Sequence, residues 1–388
     1  MARHGLGLGW RCLFANDFDA KKAASYRANW GGDELVVADV ASLTPAHLPG
    51  AADLAWASFP CQDVSLAGAR RGVGDNHVGD NHVGDNHGDE AVVARTRSGA
   101  FWPFWRLMRG LGGQGRAPRL IALENVTGVF TSNGGRDFAA IVAAFAQAGY
   151  RCGALAVDAA RFTPQSRPRA FIIGVRADMP VAAALVADSP ASAWTTKALT
   201  AAHAGLSAAE RAAWLWWRLP EPPPRQTRFI DIIEDQPADA PWRDPAHVAA
   251  LLDMMAPAHR ARLDAALASG ERAAAGVYKR IRVEQGRRVQ RAEARFDGLA
   301  GCLRTPSGGS SRQTVLLVEG GRMRARLLSA REAARLLGLP DSYILPQRYN
   351  DAYHLAGDGV APPVVDWLAR QLFEPLLDSA EKAAAAAE

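Results

Sequence analysis

Through its first 185 residues the chain alternates short apolar runs with stretches of helical period. Residues 10–17 read as a strand ending in Asp17, and residues 19–29 as a helix carrying Ala23, Ala24 and Tyr26. A second strand over 35–40 holds Asp39 near its end. A third over 54–58 leads into Phe59-Pro60-Cys61-Gln62, and a fourth over 119–126 carries Glu124. Helical spacing returns at 101–111 and 138–147, and an apolar run at 169–175 reads as another strand. Strands alternating with helices predict an α/β fold, with a mostly parallel sheet covered by helices on both faces. Such sheets place their chemistry outside the carboxyl ends of the strands. Asp17, Asp39, Cys61 and Glu124 all fall at such ends. One acid there is ordinarily a cap or turn residue, and a free cysteine is ordinarily buried filler. Four reactive residues at four successive strand ends ask for more.

After about residue 185 this rhythm stops. Residues 186–345 read as a second, smaller domain, with Trp214, Trp216 and Trp217, the run Pro222-Pro223-Pro224, and alanine-rich helical pieces. Residues 304–313 form a small-residue loop flanked by Arg304 and Arg312, of a kind that can approach a phosphate backbone closely. Ser329 and Glu332 are spaced as a capping box, opening a helix that runs through Leu337 and stops at Gly338. Residues 346–388 return to the first domain, whose opening part is 1–185. This last stretch carries Gly357-Asp358-Gly359, a helix over 364–372 and an alanine-rich tail read as a frayed helix.

Composition narrows the class. A chain of 388 residues, 48% hydrophobic and 22% charged, is globular and long enough for two domains. Its four cysteines, Cys12, Cys61, Cys152 and Cys302, are scattered without a CxxC pair, so neither a zinc site nor a disulfide framework is indicated. No run approaches a membrane span, and no signal-peptide core opens the chain; we expect a monomer in a reducing cytoplasm. The net charge of +5 is mild, but residues 279–295 alone carry a surplus of five positive charges. A basic cluster including Arg287 and Arg288 is a candidate phosphate-facing surface. Residues 73–87 repeat Val-Gly-Asp-Asn-His three times and hold three of the nine histidines. Asp, Asn and His can all ligate metals. Nothing nearby completes a fixed geometry, however, and the Gly-Asp-Asn content reads as a solvated loop. No metal site is expected.

Taken in order, five blocks resemble the cytosine-C5 DNA methyltransferases. Phe59-Pro60-Cys61-Gln62 resembles the family's nucleophile motif, Glu124-Asn125-Val126 its acid motif, and Gln165-Ser166-Arg167-Pro168-Arg169 its Gln-x-Arg-x-Arg motif. Residues 326–340 and Gly357-Asp358-Gly359-Val360 resemble its last two blocks. The resemblance implies an S-adenosylmethionine-dependent, Rossmann-like methyltransferase domain with a smaller target-recognition domain. It implies double-stranded DNA as substrate, and a restriction-modification or orphan modification role with a cognate restriction endonuclease as partner. Cys61 would attack C6 of a flipped-out cytosine, Glu124 would act at N3, and Arg167 and Arg169 would hold O2 and a neighbouring phosphate. Gln62, Ser65, Asn125, Gln165, Arg287, Arg288, Arg304 and Arg312 would contact or position the DNA. For the cofactor, Asp17 would bind the ribose, Phe18 would stack on adenine and Asp39 would accept from its amino group. Val40, Pro60, Asp358 and Val360 would complete that pocket.

The sequence departs from the family pattern at its front. The family opens with a strand and a Phe-x-Gly-x-Gly-type loop around the methionine end of the cofactor. Met1 to Gly9 resembles the region just after that loop, so a truncation or an upstream start is expected, with Gly5, Gly7 and Gly9 as substitutes the alternative. Asp358 stands where the family more often has asparagine. The competing functional reading is a catalytically impaired DNA-binding remnant, or one fragment of a split methyltransferase.

Overall fold

In a computed structural model, residues 1–59, 101–190, 193–304 and 312–385 are described. Strands β1 (Ala15–Asp17) and β2 (Leu35–Val37) pair in parallel as a two-stranded ladder. Asn16 ties them further by donating to the carbonyls of Val36 and Ala38. The central sheet contains β3 (Leu54–Ser58), β4 (Leu120–Val126), β5 (Tyr150–Asp158) and β6 (Pro168–Arg176), in the order β3-β4-β6-β5. β4 is buried at every position but its last, the near-continuous apolar run of a strand covered on both faces. Leu120 and Ala122 join Phe171, Ile173 and Val175 in one core with the helix Pro362–Leu368. Ile121 and Leu123 point the other way, into a core with Trp105 of helix Phe101–Gly113 and with Phe138 and Phe145 of helix Arg136–Gln147. Helices therefore cover both sheet faces, as the α/β pattern predicts.

The sheet is mixed. β1–β2 and β3–β4 are parallel, whereas β4–β6 and β6–β5 are antiparallel. β5 escapes the sequence pattern because the glycine and two alanines among its residues carry little strand propensity. Tertiary packing holds it instead. A Cβ on Gly153 would collide with the carbonyl of Leu215, which runs alongside. β7 (Val186–Ala187) and β8 (Trp216–Trp217) form a short antiparallel pair.

A second sheet, wholly antiparallel, runs β10-β9-β11-β12. Its strands are β9 (Ala273–Glu284), β10 (Arg287–Arg295), β11 (Thr314–Glu319) and β12 (Arg322–Leu327). One face packs Ala275, Val277, Ala292, Leu316 and Val318 under the helices Pro245–Asp253 and Pro257–Ser269. The other packs against Phe229, Ile232 and the helix Ala330–Leu337. That helix stands between the sheets: Ala334 and Leu337 enter the core of the first, Ala333 and Leu336 that of the second. Its expected capping box is formed, with Ser329 Oγ accepting from Glu332 N at 3.0 Å and Glu332 Oε2 accepting from Ser329 N at 2.8 Å. Glu332 also holds Arg326 through two hydrogen bonds of 2.6 and 2.7 Å, with neither side chain exposed at all. Such a pair stands only while both partners are present, because loss of one strands a buried charge.

Candidate active site

The site is built by strand register. Ser58 of β3 lies opposite Glu124 of β4, and on the other side β6 sets Phe171 opposite Glu124 and Arg169 opposite Val126. Residues two apart on a strand share a face, so Glu124 and Arg169 are diagonal neighbours on one face. Arg169 Nε lies 3.0 Å from Glu124 Oε1, with the two side chains only 14% and 8% exposed. β3 ends at Ser58 beside this pair, and Cys61 follows three residues later. Cys61, Pro60, Gln62, Ser65 and the repeat at 73–87 lie outside the described residues. Phe59 is buried, its ring 5.9 Å from that of Phe101. Asn125 is buried; its Oδ1 accepts from Val126 N, and its Nδ2 has no partner among the described residues.

Two residues expected to touch substrate are placed otherwise. Arg167 is 2% exposed. Its guanidinium donates to the carbonyls of Leu303, Gly357 and Gly359 at 3.2, 2.8 and 2.8 Å. It is a strut joining β6 to the segments around 303 and 358, with both terminal nitrogens held on backbone carbonyls. Gln165 is fully buried, donating to Leu336 O and accepting from Leu303 N, so its amide too is spent on backbone. Of the two arginines, Arg169 is the one that meets Glu124 in an ion pair.

Cys302 joins this cluster, although no sequence motif singled it out. Its sulfur lies 3.4 Å from Arg167 Nη1 and 4.0 Å from both Nη1 and Nη2 of Arg169. Burial would raise the thiol's pKa, but the two guanidinium groups outweigh it and hold it below the ordinary value. The signal available was weak: a cysteine two residues before Arg304, in an otherwise unremarked block.

The cofactor-side residues also gather at strand ends. Asp17 ends β1, one oxygen accepting from Asp19 N, and burial raises its pKa. The ring of Phe18 is 70% exposed beside it. Asp39 follows β2 and accepts from Ala41 N, opening the turn Val40–Ser42. Asp358 closes the helix Tyr349–Asp358 and pairs with Lys22 at 2.8 Å. Burial would lower the Lys22 pKa, but Asp358 and Asp17 raise it overall. Val360 is buried in the core below. An exposed aromatic ring next to a carboxylate at the end of a parallel-paired strand suits a nucleoside, whose base can stack while its ribose hydroxyls donate. These residues fit S-adenosylmethionine.

The sequence pattern described as C-5 cytosine-specific DNA methylase matches residues 2–79 and 86–374. The chain belongs to this family. It is 24% identical over 364 residues to the type II methyltransferase M.NlaX of Neisseria lactamica, covering 93% of this chain and 88% of that protein. It is 24% identical over 388 residues to M.HpaII of Haemophilus parainfluenzae, covering 95% and 85%. Among solved structures, the Dnmt2 methyltransferase of S. pombe superposes with a TM-score of 0.52 at 16% identity, covering 97% of this chain and 94% of that one. A DNMT2 variant of Spodoptera frugiperda gives 0.53 at 15% identity, covering 97% and 95%. These structures share the methyltransferase fold. Family membership makes this chain a DNA cytosine-C5 methyltransferase and implies S-adenosylmethionine as its methyl donor.

The expected DNA-facing arginines of this methylase separate in space. Arg304 is exposed. Arg312 is half-buried, hydrogen-bonded to Asn350, with its guanidinium 5.4 Å from the centre of the Tyr349 ring; it is committed to the helix Tyr349–Asp358 rather than free for phosphate. Arg287 and Arg288 are both exposed but, being adjacent on β10, point to opposite faces of the sheet. No helix among the described residues is long and apolar enough to cross a membrane.

Proposed function

We propose that this methylase acts on double-stranded DNA through a covalent Cys61 adduct with a flipped-out cytosine, in a restriction-modification or orphan modification role. The observation that carries this reading is the Glu124–Arg169 pair at 3.0 Å beside the end of β3. Cytosine C5 is a poor nucleophile. Addition of the Cys61 thiolate to C6 forms the S–C6 bond and drives the C5–C6 π electrons toward C5 and the ring. Glu124 stabilises that charge by hydrogen bonding or proton donation at N3. Arg169 anchors the Glu124 carboxylate, presents a guanidinium to O2, and adds positive potential that favours the thiolate form of Cys61. Asp17, Phe18, Asp39 and Asp358 would hold S-adenosylmethionine, which when bound supplies an electrophilic methyl group on sulfonium. Once C5 is methylated, a base takes the C5 proton and the electron pair expels Cys61, restoring the double bond. The target carbon is inaccessible inside a duplex, so the base must leave the stack. Residues 186–345 act as the target-recognition domain, and in the restriction-modification role the partner is a cognate restriction endonuclease.

The test is trapping on duplex DNA containing 5-fluorocytosine. The fluorine cannot leave as a proton, so the adduct should accumulate with the wild-type chain and be absent with Cys61→Ala. An adduct that survives this substitution would remove Cys61 from the mechanism. Bisulfite sequencing of DNA from expressing cells should show 5-methylcytosine at a defined sequence.

A further inference from the structure

The segment that follows β10 is laid along the residues just before β6. Ala300 N donates to Pro164 O at 2.8 Å, and Ser166 N donates to Ala300 O at 2.9 Å. Gly301 passes so close to the Tyr278 ring that a Cβ there would lie 2.5 Å from Cε2, so a side chain at this position would push the segment away. The Tyr278 hydroxyl donates to Cys302 O at 3.3 Å, and Leu303 N donates to Gln165 Oε1 at 3.1 Å. The backbone of Cys302 is thus fixed before, at and after the residue itself.

The sulfur presented there stands 4.0 Å from both Nη1 and Nη2 of Arg169. Equal distances from two donors place it symmetrically at the end of the guanidinium, where a bidentate acceptor binds. Arg169 Nε lies 3.0 Å from Glu124 Oε1, and Nη1 also donates to Pro168 O at 2.9 Å. All three nitrogens of Arg169 are therefore engaged. The same sulfur is 3.4 Å from Arg167 Nη1. Burial and the charge of Arg169 both push the Arg167 pKa down, the mark of two guanidinium groups crowded together. An anionic sulfur against both relieves that crowding, and with so little water present its charge is poorly screened. A cysteine serving as filler would lie among apolar side chains instead.

We propose that Cys302 is a positioning residue of the methyl-transfer site: its sulfur holds the terminal nitrogens of Arg169, and Arg169 so held fixes the Glu124 carboxylate for cytosine N3. This rests on the proposed chemistry at Cys61 and Glu124. In this role Cys302 forms no bond in the reaction and acts through Arg169. The ionisable groups that face it are Arg167 and Arg169 of β6, Arg304 of its own segment, Tyr278 of β9 and Tyr353 of the helix Tyr349–Asp358. Burial pushes both phenols up, Tyr353 to about 12, so neither competes with the thiol for ionisation.

The test times adduct formation on duplex DNA containing 5-fluorocytosine, in single turnovers at saturating S-adenosylmethionine and DNA, over a pH series. Cys302→Ser should react roughly tenfold more slowly than wild type at alkaline pH, with its affinity for DNA and cofactor unchanged. The thiol's pKa lies below the ordinary value, so this deficit should shrink as pH falls through it and the wild-type sulfur takes up its proton. Cys302→Asp returns an anionic acceptor to both terminal nitrogens and should recover most of the rate. A residue that only fills space would show the reverse order, tolerating serine and rejecting aspartate. That order, equal rates for wild type and Cys302→Ser, or a deficit constant with pH would overturn the inference. A second readout needs no catalysis. The Arg169 Nε–H resonance, assigned by its absence in Arg169→Lys, should exchange with water roughly tenfold faster in Cys302→Ala, while that of the buried Arg326 does not change. Unchanged exchange at Arg169 would overturn the inference even if the rates fell. A wild-type chain that forms no adduct refutes the proposed function, and the exchange measurement then decides the role of Cys302 alone.

Discussion

The arginines at the end of β6 and those on the β9–β10 ribbon are chemically alike and physically opposite. Arg167 is buried with its two terminal nitrogens on backbone carbonyls, and Arg169 is held on a nearly buried carboxylate. On the ribbon, Arg282 is 49% exposed and paired to Glu293 in solvent. The first pair acts where water is scarce, so each guanidinium fixes geometry. The second acts where water screens it, so the pairing is weak and the surface stays adaptable. A guanidinium's role here follows from its surroundings, and two residues of one motif can take different roles.

That contrast can be broken most directly at Glu124. Glu124→Gln should cost about 10²–10³ in methylation rate, an effect of roughly 3–4 kcal/mol, with little change in melting temperature. An equal loss of stability would make Glu124 structural. Next in size, Arg167→Ala should lose about 3 kcal/mol or more of stability, because it leaves the buried carbonyls of Leu303, Gly357 and Gly359 without their donor. Denaturant unfolding measures this. If the variant keeps its stability and loses only activity, Arg167 belongs with the substrate after all.

Two smaller effects depend on pH. Cys302 has a folded pKa below its unfolded value of about 8.5. Its contribution is therefore full above the unfolded value and is lost as pH falls through the folded one. The melting-temperature gap between wild type and Cys302→Ser should be widest at alkaline pH and close on acidification; a gap that is constant with pH would deny the arginines their effect on the thiol. Asp17 has the opposite sign. Its pKa is raised by burial, so the ionised carboxylate costs stability above that value, and protonation relieves the cost. Asp17→Asn should melt slightly higher than wild type at neutral pH while binding S-adenosylmethionine more weakly. Unchanged cofactor affinity would move the ribose site elsewhere. Smallest of all, Arg282→Gln should change stability by less than about 1 kcal/mol; a larger loss would mean that the ribbon's ion pairs behave like the buried ones.

Much of this was legible in the sequence because it is local. The apolar runs of β3 and β4, the capping box at Ser329, and the acid or thiol just past each strand depend on neighbours within a few residues. Arg169 and Glu124 stand out separately through motif order, and only register sets them on one face as a pair. β5 was not legible, since Gly153 and the alanines around it make a strand only when Leu215 and β6 lie alongside. The backbone partners of Arg167 and Gln165 were not legible for a related reason. These partners, Leu303, Leu336, Gly357 and Gly359, are more than a hundred residues away, and no local pattern announces them. The basic cluster was visible as a count of charges, but a count does not divide them between faces.

By itself, then, the sequence determined which residues could do chemistry and in what order the strands present them, because secondary structure and motif spacing are properties of short segments. Only the tertiary structure decided which of two arginines pairs with Glu124, that Cys302 lies against both, and how the ribbon's charges divide between its two faces. Those outcomes depend on burial and on long-range register, and both exist only once distant segments have packed.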